Sequence, residues 1–293
     1  MVRDAVILAG GLGTRMLPAS LYSPKEALPL IDTPILNHLV WEAEKAGVTR
    51  VHLVLSERKR EILDGFLGGE PINFDGVRSD LPRDSLRLGT KGIEVIPHIQ
   101  VAAGGVADAI SVTNDHVNGP FLVLLGDMLV MEDNFAPSKS GPDYASNASR
   151  KLVIAHQNNG LPCVGVCRVE KDEVSNYGVV EVLDRMVSSI TEKPSPDDAK
   201  SDMVLCGRYI FPENTSSILE KFPLSEFGEM QSIYVLNYLI ENVGINAVNL
   251  EQMRMYDSGD PMSWLKSQID HGLRREDTSS ELYEWLIDRL ARI

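Results

Sequence analysis

A chain of 293 residues, 43% of them hydrophobic and 24% charged, has the balance of a globular protein with a sizeable core, which excludes disorder, collagen-like repeats and coiled coil. Acidic residues outnumber basic ones by 42 to 28 and leave a formal net charge of −14, so the average surface repels phosphate backbones and anionic lipid, and neither nucleic acid nor membrane is an expected partner. Three cysteines, Cys163, Cys167 and Cys206, form an odd and sparse set that speaks for a reducing, cytoplasmic setting over a disulfide scaffold.

In chain order, residues 1–4 lead into an apolar run broken at Gly10, too short for a membrane span and without the basic region and cleavage pattern of a leader. That run, residues 5–8, reads as a strand. A helix follows over residues 35–46, then a strand at 51–55 and a helix near 57–66, an alternation that predicts βαβ units and a mixed, mostly parallel α/β sheet flanked by helices. The first helix is punctuated by Thr33 as N-cap, Pro34 in the first turn, an apolar face of Ile35, Leu36, Leu39, Val40 and Ala43, and Gly47 as its stop. Further strands are expected at 93–96, 121–125, 164–169, 179–183 and 204–211, with a helix over 107–117. Turn-rich stretches at 68–92 and 137–143 read as excursions over the sheet that cover a site or a neighbour. Near the end, Thr278 and Glu281 have capping-box spacing before an apolar stripe of Leu282, Trp285, Leu286, Leu290 and Ile293. The stripe predicts an amphipathic helix that packs on its own domain or makes a subunit contact. With no fixed internal period and no low-complexity linker, the whole chain, 1–293, is expected to form one domain with a C-terminal helical segment from about residue 261.

The densest information lies in Leu8-Ala9-Gly10-Gly11-Leu12-Gly13-Thr14-Arg15, three glycines directly after a buried strand. Glycine lets the backbone pass close to a ligand, N–H groups in such a turn converge on an anion, and the arginine fork suits phosphate oxygens. The alternative is a tight turn with no ligand. Neither known phosphate loop fits: no Gly-Lys-Ser/Thr follows, and Met16 stands where a dinucleotide fingerprint needs its third glycine. Ten residues on, Ser23-Pro24-Lys25-Glu26-Ala27-Leu28-Pro29-Leu30 cannot be an uninterrupted helix, and its two prolines stiffen a loop that carries Lys25. Alone, Lys25 and Glu26 read as a surface pair; beside the glycine loop, Lys25 is a second cation for the same phosphates. Asp127 follows the strand at 121–125 and therefore sits at a carboxyl end, where open α/β sheets bind ligands, while Asp257 lies in a Tyr-Asp-Ser-Gly turn. Each aspartate taken singly also suits a cap or turn.

Gly-Gly-x-Gly-Thr-Arg followed by Pro-Lys-Glu and a Pro-Leu turn resembles the signature of the sugar-1-phosphate nucleotidyltransferases, most closely their glucose-1-phosphate uridylyltransferase branch. The resemblance continues in family order through Gln100 with residues 105–109, Leu125-Gly126-Asp127, Ser175-Asn176-Tyr177-Gly178-Val179, Thr191-Glu192-Lys193-Pro194, Gly207-Arg208-Tyr209, Gly228-Glu229-Met230-Gln231 and Tyr256-Asp257-Ser258-Gly259. It implies a Rossmann-like fold and transfer of a uridylyl group from UTP to glucose 1-phosphate, giving UDP-glucose and pyrophosphate. The sugar phosphate is already ionised, so such a reaction needs charge neutralisation and placement of two anions, with no general base. The resemblance assigns Arg15 to the triphosphate and departing pyrophosphate, Lys25 and Lys193 to phosphates, and Asp127 with Asp257 to Mg2+, which is held by few protein ligands. It assigns Tyr177, Gly178 and Glu192 to the sugar, and Leu8, Gly10, Gly11, Gln100 and Gly105 to the nucleoside, the Gln100 amide both donating to and accepting from uracil. A homodimer or homotetramer is implied in the same way.

The chain departs from the usual family text in three places. Gly126-Asp127-Met128 stands for Ala-Asp-Asp, Gly105-Val106-Ala107-Asp108-Ala109 for Gly-Leu-Gly-His-Ala, and Ser232-Ile233-Tyr234 for Leu-Thr-Asp. The thioether of Met128 is a poor hydrogen-bond partner near a sugar. Since one methyl group separates uracil from thymine and discriminates by only about 1–3 kcal/mol, thymidylyl transfer from dTTP or broader sugar use stays open. A silent nucleotide-sugar-binding regulatory subunit is the non-enzyme alternative, disfavoured because the cations and both aspartates are kept together. A bifunctional enzyme with a stacked-repeat domain is disfavoured because 36 residues follow Asp257 and such domains need about three repeats or more. Cys163 and Cys167 have helix spacing in a strand and read as core thiols, not zinc ligands. None of the six histidines reads as catalytic, and Trp41, Trp264 and Trp285 read as packing.

Overall fold

The computed structural model of the chain describes residues 1–60, 88, 92–102, 104–133, 138–139, 141–228 and 231–292. Its strands are β1 (Asp4–Leu8), β2 (Pro29–Leu30), β3 (Thr33–Pro34), β4 (Arg50–Leu55), β5 (Glu94–Ile99), β6 (Phe121–Leu125), β7 (Met128–Glu132), β8 (Cys163–Arg168), β9 (Gly178–Leu183), β10 (Met186–Glu192), β11 (Met203–Phe211), β12 (Asn246–Asn249) and β13 (Met253–Asp257). Helices are α1 (Ile35–Lys45), α2 (Gly105–Ser111), α3 (Ala148–Asn159), α4 (Thr215–Leu219), α5 (Leu224–Phe227), α6 (Gln231–Asn242), α7 (Pro261–Arg274) and α8 (Ser279–Leu290). Of the expected helix at 57–66, residues 57–60 are helical and the remainder lies outside the described residues, as do residues 134–137 and most of the turn-rich stretch at 68–92.

Alternation along the first strand explains the layers. Ala5 and Ile7 face one side, where Leu36 and Leu39 of α1 and Leu152 of α3 join Leu53, Leu122 and Leu124 in a buried cluster. Val6 faces the other side, with Val54, Val123 and Val166, against Ile110 of α2 and Leu239 of α6. A sheet buried on both faces is the expected home of near-continuous Val/Ile/Leu runs. The described strands of the main sheet run in the order β5-β4-β1-β6-β11-β8-β12-β10-β9. One half, β5, β4, β1 and β6, is parallel throughout. In the other half β11 is antiparallel to β6 and β8, β10 is antiparallel to its neighbours, and β12 on β8 is the parallel pair. The carboxyl ends of β1 and β6 lie side by side, Leu8 against Leu125.

Local capping differs from expectation. Thr33 and Pro34 pair with β2, so α1 starts after Pro34 with no side-chain cap, and the Ile35 amide donates to the Leu28 carbonyl at 3.0 Å. A residue before proline prefers extended backbone, and a two-residue hairpin uses that preference. Gly47, at φ 92°, follows the helix as expected. At α8 the capping box does not form: Thr278 Oγ1 donates to the Gly272 carbonyl at 2.7 Å instead. The helix at 107–117 ends at Ser111, where Ser111 and Thr113 hydroxyls bond back to Asp108 and Ile110 carbonyls. Trp41 is buried, but Trp285 is 57% exposed, because α8 touches the body along one edge, through Leu282 against Gly272. All three thiols are free and buried.

Imidazoles held neutral make the fold acid-sensitive: burial lowers His52, and three others are shifted further. Burial, aided by the neighbouring His271, holds His38 down to about 3. Burial and the facing His52 and His116 hold His98 at about 4, and burial with Arg274 and Arg275 does the same for His271. Below pH 6.5 the unfolded imidazoles take protons that the folded ones refuse, so stability falls as pH drops from 6.5 towards 4, by up to about 1.4 kcal/mol per pH unit for each group. Buried groups whose carboxyl pKa is raised, such as Glu26, oppose this trend. The urea midpoint is expected to be lower at pH 5 than at pH 7; equal midpoints would contradict the assignment.

Candidate active site

The glycine loop leaves β1 between two clamped strand ends. The Gly126 amide donates to the Leu8 carbonyl at 3.0 Å, and the Ala9 amide to the Val54 carbonyl at 2.9 Å. A Cβ at Gly126 would lie 2.6 Å from that Leu8 oxygen, so the approach of the two strand ends requires glycine. Leu8 therefore lies beneath the loop with its carbonyl engaged by the sheet. Gly13, in the left-handed region at φ 67°, turns the chain into the 3-10 turn Thr14–Met16, which buries Met16 and leaves Arg15 outward. Lys25 sits in the third 3-10 turn, Lys25–Ala27, behind Pro24.

Lys25 Nζ is ion-paired with Asp127 Oδ2. Its neighbour Glu26 is buried and receives both of its bonds from Lys59, at 2.9 and 2.8 Å, while the same ammonium reaches the Ala9 carbonyl at 2.7 Å. Burial raises the Glu26 carboxyl and lowers the Lys59 ammonium, and their mutual attraction opposes both shifts. Lys59 thus braces the glycine loop against the Lys25 turn. Sequence reasoning missed it, since no motif or spacing marks a lysine in that stretch.

The two aspartates, 130 positions apart, meet because β13 pairs antiparallel with β7, placing Asp257 opposite Met128. Ser258 reinforces the junction, its amide and hydroxyl donating to the Asp127 carbonyl at 3.0 and 3.1 Å. Burial acts to raise the Asp127 carboxyl, but Lys25 overrides it and holds the group below its ordinary value. Asp257 is raised, first by burial and then by the Asp127 charge, against the 2.6 Å bond from the Gly259 amide. A Cβ at Gly259 would stand 2.7 Å from Arg15 Nη2 and 2.8 Å from Asp257 Oδ1, so this glycine admits the guanidinium beside the carboxylate.

That donor set fits a divalent, oxygen-seeking cation. Two neighbouring carboxylates, one of them raised by burial and by the other's charge, would be relieved by a cation between them. No group of three or more His, Cys, Asp or Glu suited to a metal occurs among the described residues. The remaining ligands would then be phosphate oxygens and water, which is how magnesium is commonly held.

Tyr177, Gly178, Glu192 and Lys193 come together through the β9–β10 ladder, in which Gly178 faces Glu192. A Cβ at Gly178 would lie 3.2 Å from Glu192 Oε2. The Lys193 amide donates to the Tyr177 carbonyl at 3.0 Å, and Lys193, at φ 44°, turns its ammonium out to 4.0 Å from Glu192 Oε1. Burial pushes the Tyr177 hydroxyl up to about 12, with Asp257 adding to it. A cleft of about 1350 Å³ gathers Arg15, Asp127, Asp257, Tyr177, Glu192 and Lys193, with Gly178 at its wall. Met128, Ser232 and Ile233, from two of the atypical stretches, line it as well.

Gly10, Gln100 and Gly105 form a separate contact group. Gln100 Nε2 donates to Asp108 Oδ2 at 2.7 Å and to the Gly105 carbonyl at 3.3 Å, and its Oε1 lies 2.4 Å from where a Cβ on Gly10 would stand. Gly11 is exposed with open space beside it. Glu229 and Met230 lie outside the described residues.

A family model described as nucleotidyl transferase matches residues 4–268. The chain is 32% identical to a UTP–glucose-1-phosphate uridylyltransferase of Streptococcus pneumoniae, covering 98% of this chain and 95% of that one. It is 30% identical to another of that name from Bacillus subtilis, over 99% and 96%. A UTP-bound UDP-glucose pyrophosphorylase structure from Acinetobacter baumannii matches with a TM-score of 0.81 at 26% identity, over 98% of this chain and 99% of that one.

Proposed function

The chain belongs to the nucleotidyl transferase family, and from that premise we propose that it is a magnesium-dependent UTP:glucose-1-phosphate uridylyltransferase. The observation that carries the reading is the meeting of Arg15, Asp127 and Asp257 in one cleft that also holds Tyr177, Gly178, Glu192 and Lys193, with Lys25 ion-paired to Asp127 from behind the lining. An anionic acceptor and an anionic donor can share such a cleft only if fixed cations offset their repulsion. A phosphate oxygen of glucose 1-phosphate attacks the α-phosphorus of UTP in line; the new P–O bond forms as the bond to the β-phosphate oxygen breaks, and pyrophosphate leaves. Arg15 and Lys25 bind the triphosphate and stabilise the charge growing on the leaving group. Lys193 holds the sugar phosphate, and Glu192 accepts bonds from sugar hydroxyls while Gly178 lets the ring approach the backbone. Gly10, Gly11 and Gly105 shape the nucleoside pocket above Leu8, and Gln100 reads the base. Mg2+, held by Asp127 and Asp257, would supply charge neutralisation at the phosphates.

The test is pyrophosphate release with UTP, dTTP and CTP against several sugar 1-phosphates. The expected result is the highest kcat/KM for UTP with glucose 1-phosphate and dependence on Mg2+; absence of pyrophosphate from every pair would overturn the reading and revive a silent binding subunit. A preference for dTTP would shift it to thymidylyl transfer. We assign the working unit as a cytoplasmic homodimer or homotetramer. Free buried thiols and the outward Tyr283, Trp285, Ile287 and Leu290 of α8 support this, and sedimentation checks the subunit count.

A further inference from the structure

The amide of Gln100 is not free to turn. Its two Nε2 hydrogens are directed at Asp108 Oδ2, 2.7 Å away, and at the Gly105 carbonyl, 3.3 Å away. The Gly105 carbonyl only accepts, so the NH2 end must face it and Asp108, which settles an orientation that an amide otherwise leaves open. Room for the pair comes from Gly104, where a Cβ would stand 2.7 Å from Asp108 Cγ. Gln100 itself is buried and its backbone amide is fixed on the Leu55 carbonyl at 2.8 Å, at the end of β4. The amide oxygen is thereby left over Gly10, on the loop that follows β1.

We infer that Asp108 is a specificity-determining positioning residue. By engaging the donor side of Gln100 it presents the nucleotide pocket with an acceptor alone, and so selects a base carrying an N–H at ring position 3. Uracil and thymine have that imino hydrogen. Cytosine has a bare nitrogen lone pair in the same place, which a fixed carbonyl oxygen repels, whereas a freely turning amide would offer it an N–H. A site built to make a hydrogen bond rejects the analogue that cannot complete it. The inference rests on the nucleotidyl-transfer reading for the identity of the ligand, and refines the expectation that Gln100 both donates and accepts: the donor is already committed within the protein.

Two variants of the full-length protein test it, Asp108→Ala and Asp108→Asn, the second being isosteric. An asparagine can meet Gln100 in either amide orientation, so shape is kept while the acceptor-only constraint is reduced to the longer 3.3 Å bond to the Gly105 carbonyl. Calorimetric Kd values for UTP and CTP are measured alongside kcat/KM for both. The UTP-over-CTP preference is expected to fall about tenfold or more in Asp108→Ala and at least about threefold in Asp108→Asn. The KM for UTP should rise while kcat with UTP stays within about twofold, since the reacting phosphates are untouched. Should the alanine variant fail to fold, the asparagine variant is read alone. A wild-type Kd ratio in whichever folded variant is read overturns the inference, whatever the turnover. Absence of pyrophosphate release by the unaltered protein would instead overturn the nucleotidyl-transfer reading, with the binding ratio still deciding the role of Asp108.

Discussion

Asp127→Asn is expected to keep the fold and lower kcat with UTP and glucose 1-phosphate by about 10²–10³-fold, the range for removing one group that stabilises transition-state charge. Asparagine has the same shape and still offers Lys25 Nζ an acceptor, so the contact between the loop at 24–27 and the end of β6 survives. What disappears is the negative charge shared with Asp257 across the β7–β13 ladder. Lys25 holds the Asp127 carboxyl below its ordinary value despite burial, so the group is ionised throughout the neutral range and the loss should appear at every assay pH above about 5. Raising Mg2+ should not restore turnover, because a ligand is missing. Near-normal kcat would remove Asp127 from the mechanism.

The largest effect on stability is expected at Arg208. Its guanidinium is fully buried and makes a two-point pair with Glu42 of α1, Nε to Oε1 at 2.7 Å and Nη2 to Oε2 at 2.9 Å. Ser149, at the start of α3, adds its amide at 3.1 Å to the same carboxylate. One buried ion pair therefore joins β11 to two helices on one face of the sheet. Arg208→Met strands the Glu42 charge in the core and should cost about 3–5 kcal/mol, a fall in Tm of roughly 6–20 °C. Adding Glu42→Leu removes the stranded charge and should recover a substantial part of the loss. A Tm for Arg208→Met within about 2 °C of the unaltered protein, measured calorimetrically, would contradict this account.

The glycine loop, the proline-braced lysine and the aspartate after β6 were readable because each depends on residues beside it in the chain: a left-handed φ needs glycine, a proline breaks a helix, and an apolar run ends where its carboxylate begins. The same local logic located α1 and strands β6, β8, β9 and β11 to within a residue or so. It went wrong at Thr33 and Thr278, whose hydroxyls had nearby competing partners in Asp32 and the Gly272 carbonyl. It also failed at Trp285, whose apolar stripe meets only one helix edge.

Other features were settled by the folded arrangement. Asp127 and Asp257 share a site through strand register alone; Lys59 acquires meaning only where Glu26 and Ala9 converge; the Gln100 amide takes its direction from Asp108, which sequence comparison marked as a departure without giving it a partner. Short-range backbone sterics and hydrophobic alternation are written into neighbouring residues. Burial, charge pairing and amide direction depend on which distant strands end side by side, and that is fixed only when the two faces of the sheet are packed.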